Sequence, residues 1–123
     1  MSRVAYLDCV GGLAGDMLLA GLLDAGADLD RLRDVPAALG LAEVEISVEQ
    51  VERQGVGALH LRIQAPDDVS DRDYREIRLI VEAADIPEQA RTRSLEAFAR
   101  LAEAEGRIHG VPPGEVHLSL IHI

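Results

Sequence analysis

The chain has 123 residues, 48% of them apolar, enough for one domain with a modest core and too apolar for a disordered polypeptide. Aromatic residues make up only 2%, with no Trp, so the core must be assembled from Leu, Val, Ile and Ala. The formal net charge is −10 and all 12 basic residues are Arg; such a surface repels phosphate backbones, which argues against a nucleic-acid partner, and it attracts cations.

Cys9 is the sole cysteine, so no internal disulfide can form, and a reducing compartment is the default. No basic stretch followed by a long apolar run opens the chain, and its longest apolar stretch, Met17 to Leu23, is too short to span a bilayer. The expectation is a cytoplasmic protein without a membrane partner.

In chain order, Arg3 to Cys9 reads as a short buried strand with Val4, Ala5, Tyr6 and Leu7 as its apolar part. Gly11, Gly12 and Gly15 allow tight turning, and Asp16 falls in the first turn of the next helix, where an acid offsets the helix dipole. From Met17 to Ala25 apolar residues cover every face, which predicts a buried helix closed by Gly26. A second helix runs from Leu29 to about Leu39, interrupted by Pro36 and ended by Gly40.

Val44, Ile46 and Val48 alternate with Glu43, Glu45 and Ser47, and Leu59, Leu61 and Ile63 alternate with His60, Arg62 and Gln64. These are two half-buried strands, and Gly55 and Gly57 between them suggest an antiparallel hairpin. The acidic stretch 65–73 is a candidate internal boundary. A helix over 73–84 follows, with Tyr74, Ile77, Ile80, Val81 and Ala84 on one side. Pro87 opens the longest helix, to about His109, with Leu95, Phe98, Leu101, Ala102 and Ile108 as its apolar stripe, and GVPPG closes it. The order strand, two helices, hairpin, two helices defines an α+β fold in one small domain.

Two constellations could carry chemistry. Asp8, Cys9 and Asp16 gather an acid at a strand end, a thiol and a helix N-terminus, all common at ligand sites. On sequence physics alone, a turn former, a small buried hydrophobe and a helix-start acid explain the same residues better. Glu105 and His109, four apart on a helix, can point the same way, and with His117 they offer a carboxylate and two imidazoles, suitable donors for a first-row divalent metal. An ordinary i,i+4 surface pair accounts for them too. Arg72, Arg75 and Arg78, and likewise Arg91, Arg93, Arg100 and Arg107, read as solvated helix faces. GGLAGD lacks the GK[ST] ending of a phosphate loop.

The stretch YLDCVGGLAGDMLLAGLLDAGAD resembles the N-terminal signature of the LarC family, with Asp8, Cys9, Gly12, Gly15, Asp16 and Met17 at its D-C-x-x-G-x-x-G-D-M positions. VERQGVGALHLRI, YREIRLIVEAADIP and LEAFARLAEAEGRIHGVPPGEVH resemble later family segments in the same order, so the likeness runs over residues 3–117. It implies part of a nickel chelatase of the lyase class. This enzyme inserts Ni(II) into a pyridinium bisthiocarboxylate mononucleotide, the nickel-pincer cofactor precursor, and consumes CTP with a divalent cation in a C-terminal region. By the same resemblance Asp8 and Asp16 are the expected catalytic acids, facing a cation-handling pocket. Cys9, Gly12 and Gly15 are expected to bind the cofactor precursor, and Glu105, His109 and His117 to face the metal.

The chain departs from the family in two places. Asp71 and Asp73 stand where many members are His-rich, and after EVH the chain reads LSLIHI where the family continues with a second His and Glu-Val-Gly. That hexapeptide resembles translated sequencing-adapter read-through. Residues 118–123 are therefore expected to be a non-native tail, with His122 no ligand. Residues 1–117 are expected to form an N-terminal fragment, inactive alone and assembling into any homo-oligomer through the missing region. The competing expectations are a non-catalytic metal-binding module and a structural interaction domain.

Overall fold

The computed structural model describes residues 2–66 and 72–118. Four helices and one two-stranded antiparallel sheet give an α+β fold, in the order α1 (Gly15–Asp24), α2 (Leu29–Ala38), β1 (Glu45–Arg53), β2 (Val56–Gln64), α3 (Tyr74–Ala83) and α4 (Glu88–His109), then a 3-10 turn at Pro113–Glu115. The chain divides into two compact units: Met1–Leu29 with Ile46–Ile63, and Asp30–Glu45 with Gln64–Ile123.

The first unit holds α1 and the hairpin. α1 ends in a Schellman motif: Ala27 N–H donates to the Leu22 carbonyl at 2.9 Å and Gly26 N–H to Leu23 at 3.0 Å, with Gly26 at φ 106°. The hairpin turns through Gln54 and Gly55, at φ 53° and 80°, the two positive values a type I′ turn requires. Ile46 and Val48 are half-buried between exposed neighbours, as the alternation predicts, and Leu61 is the buried centre of β2.

Three expectations for this unit fail. Residues 3–9 join no ladder and are exposed, because the only strands among the described residues pair with each other. α1 is not buried: Ala20 alone is, while Met17 and Leu22 face solvent, since an all-round apolar helix needs neighbours on every side. Ile63 is likewise exposed, so only Leu59 and Leu61 of the expected stripe are covered.

The second unit has the better-formed core. Asp73 caps α3 with a capping box: its Oδ1 accepts from Glu76 N–H at 2.9 Å and its own N–H donates to Glu76 Oε2 at 3.2 Å. The apolar side of α3 packs on α4, burying Val81, Ala84 and Ala102. Tyr74, Ile77 and Ile80 are half-buried along the same side, as their spacing predicts.

On α4, Leu95, Phe98 and Ala102 lie inward, whereas Leu101 and Ile108 are exposed. The inward face runs through Arg91, Ser94, Leu95, Phe98, Ala99, Ala102, Glu105 and Gly106; Leu101 and Ile108 fall outside this arc by helical geometry. Arg91 is not a solvated residue, being only 23% exposed. Its guanidinium donates to the carbonyls of Glu82 at 2.6 Å and of Val81 and Ile86 at 3.3 Å, so it satisfies the C-terminal end of α3.

α2 ends in a second Schellman motif, Leu41 N–H to Pro36 carbonyl at 2.8 Å and Gly40 N–H to Ala37 at 3.0 Å. Pro36 does not interrupt α2; it is buried inside the helix near its end. Asp85 N–H donates to the Ala38 carbonyl at 3.3 Å, tying α2 to the connection between α3 and α4.

Candidate functional site

In the first unit the chain turns at Cys9–Gly12, where Gly12 N–H donates to the Cys9 carbonyl at 3.0 Å and Gly11 takes φ 85°, the left-handed third position of a type II turn. Gly12 follows at φ 106°. This double bend lays residues 5–13 along one face of α1, that of Met17, Leu18, Gly21, Leu22 and Ala25. Between them lies an open, mostly apolar groove of about 480 Å³.

Asp8, Cys9 and Gly12 all line this groove, as the sequence pattern suggests. Gly15 and Asp16 do not. Gly15 is the first residue of α1, and Asp16 Oδ1 accepts from Met17 N–H at 2.9 Å in the first turn. Both carboxylates are exposed, so neither incurs the cost of burial that their apolar surroundings in the sequence would imply. The Cys9 thiol is free and exposed, which replaces the reading of a small buried hydrophobe.

In the second unit, Glu105 Oε2 and His109 Nε2 stand 3.1 Å apart across one helical turn. α4 ends at Gly110, left-handed at φ 68°, and Val111 N–H folds back onto the Gly106 carbonyl at 3.1 Å. A Cβ on Gly106 would stand 2.8 Å from the Val111 carbonyl oxygen, so only glycine allows the chain to return this closely. The return brings His117 round to a cavity of about 280 Å³, lined by His109, Val111, Glu115, Val116 and His117. Glu105 does not line this cavity; its contact is the pairing with His109. Glu115, which the sequence reading passes over, joins the two imidazoles; its one signal is its place two residues before His117 in GEVH. Among the described residues no three His, Cys, Asp or Glu side chains are gathered closely enough to hold an ion.

Asp73 has its carboxylate engaged as the α3 cap; Asp71 and His122 lie outside the described residues. Arg78 pairs with Glu82, Arg100 with Glu96 and Arg107 with Glu103, all on exposed helix faces as expected. No helix among the described residues is long and apolar enough to cross a membrane.

A model of the family described as "Nickel insertion protein" matches residues 5–121. A "Putative nickel insertion protein" of Geotalea uraniireducens (strain Rf4) is 39% identical over 117 residues, covering 94% of this chain and 30% of that protein. The pyridinium-3,5-bisthiocarboxylic acid mononucleotide nickel insertion protein of Desulfitobacterium hafniense (strain DSM 10664 / DCB-2) is 37% identical over 115 residues, 94% of this chain and 29% of its own length. A Thermomicrobium roseum relative reaches 40% over 116 residues. The chain thus spans about three-tenths of the length of the curated relatives it matches. No solved structure matches it.

Proposed function

The chain belongs to the nickel insertion protein family, which is the LarC family, and on that premise we propose that it supplies the N-terminal part of a nickel chelatase acting on a pyridinium bisthiocarboxylate mononucleotide. The observation that carries this reading is the placement of Asp8, Cys9 and Gly12 together on one apolar groove. An exposed carboxylate and thiol on an apolar wall suit a planar ring bearing soft sulfur and a cation arriving beside it. Asp8 handles the incoming Ni(II), with Asp16 contributing negative charge at the start of α1. Cys9, Gly12 and Gly15 shape the wall against the precursor.

Glu105, His109 and His117 supply a second cation-facing group, which attracts Ni(II) as separate donors, since they are not gathered into one ion site. Their donor set fits a borderline first-row ion, and the acidic chain raises the local cation concentration. CTP is consumed in the part of the family polypeptide that this chain does not contain, and the chain alone does not complete the reaction.

The test is nickel insertion by a family protein carrying this N-terminal sequence. Asp8→Asn with Asp16→Asn abolishes insertion while circular dichroism and thermal midpoint stay unchanged. Undiminished insertion by the double variant would remove the acids from the mechanism.

A further inference from the structure

The first unit has almost no core of its own. Among its described residues only Ala20 and Leu61 are buried apolar side chains. Against these, Val4, Tyr6 and Val10 are 90%, 89% and 87% exposed, and Leu7, Leu13, Met17 and Leu22 are all open to solvent. So few buried residues leave most of this unit's apolar surface uncovered, and an extensive exposed apolar patch marks a docking surface.

We propose that residues 4–10 and the solvent face of α1 are the docking surface for the part of the family polypeptide lying beyond this chain, which sets a strand beside residues 4–8 and roofs the groove. Three observations select that occupant. The run Val4-Ala5-Tyr6-Leu7 is apolar at both strand parities, the pattern of a strand covered on both faces, not of an edge against water. Its backbone has no ladder partner among the described residues, since β1 and β2 pair with each other. The relatives are more than three times as long as the matched region, so most of the polypeptide is available to cover both faces. A second copy meeting this segment about a two-fold axis would extend the ladder and leave one face wet. The groove carrying Asp8 and Cys9 is then half a site, closed only on docking. This inference rests on family membership and on the exposed residues, not on the reading of nickel chemistry.

The experiment is amide hydrogen exchange on this chain alone and on the full-length Desulfitobacterium hafniense relative, read at the stretch aligned with residues 4–10. The expected result is free exchange in the chain and at least hundredfold slower exchange in the relative. In parallel, Tyr6→Asp leaves the melting midpoint of this chain unchanged. The same substitution at the aligned position lowers that of the full-length relative by roughly 5 °C or more. Free exchange of that stretch in the relative overturns the proposal. So does protection in this chain alone: concentration-dependent protection assigns the surface to a second copy, and concentration-independent protection to the chain's own second unit. A full-length Asp8→Asn/Asp16→Asn variant that keeps nickel insertion while the stretch aligned with residues 4–10 stays protected fails the chelatase reading only.

Discussion

Asp73 and His117 face each other across an antiparallel backbone bridge, 44 positions apart in sequence. Tyr74 N–H donates to the Val116 carbonyl at 2.8 Å, and Leu118 N–H to the Arg72 carbonyl at 3.3 Å. The start of α3 is therefore stitched to the segment that follows α4. This stitch fixes where His117 sits, and it does so through a residue whose carboxylate is already committed to the α3 cap. Asp73 thus positions an imidazole through its backbone instead of offering a free ligand.

Asp73→Ala removes the cap acceptor and half of the capping box. The expected loss is about 1 kcal/mol, within a range of roughly 0.5–2. A thermal melt followed by circular dichroism checks it, and Asp73→Asn, which keeps a cap acceptor, should recover most of the loss.

Gly106→Ala sets two effects against each other. Alanine favours the helix by about 1 kcal/mol. Its methyl, however, meets the Val111 carbonyl at 2.8 Å, a backbone atom that cannot swing aside. Overpacking of this kind costs about 1–3 kcal/mol. Net destabilisation is expected in urea titration, together with displacement of the His117 resonances in NMR spectra. A neutral or stabilised variant would show that the 110–116 return is looser than described.

Arg91→Met keeps the aliphatic stem and deletes contacts to the Val81 and Glu82 carbonyls at the end of α3 and to the Ile86 carbonyl in the α3–α4 connection. Hydrogen bonds from a charged donor contribute about 1.5–3 kcal/mol, so a loss in that range is expected from denaturant titration. Arg100→Met is the matched control: its partner Glu96 is an exposed i,i+4 neighbour, and its removal should change stability by no more than about 0.5 kcal/mol. Equal effects would contradict the capping role of Arg91.

His109→Ala tests the second cation-facing group. Calorimetric titration of this chain with Ni(II) should show weak binding that is lost in His109→Ala and in His117→Ala, and retained in Asp8→Asn. Binding that survives both histidine substitutions would locate the ion elsewhere.

Much of the second unit was legible in the sequence because its signals are local. Asp73 three residues before Glu76 fixes a helix start, and the 3.6-residue spacing of Tyr74, Ile77, Ile80, Val81 and Ala84 fixes the face that packs on α4. Gly26, Gly40 and Gly110 mark helix ends by supplying left-handed backbone. Pro36 shows where local rules weaken: inside α2 its cost is offset by burial near the helix end.

The sequence by itself determined element types, ends and the apolar faces of α3 and α4, because these follow from turn chemistry and helical period within a few residues. Only the tertiary structure decided which apolar runs are covered. Val4 to Leu7 and α1 have the composition of buried elements yet stand exposed, because burial depends on neighbours distant in the chain and no segment of their own unit supplies them. It also decided which polar residues share a site. Asp8, Cys9 and Gly12 meet at one groove while Asp16 turns to its own helix, and Glu115 joins His109 and His117 because a glycine without a Cβ lets the chain fold back over the end of α4.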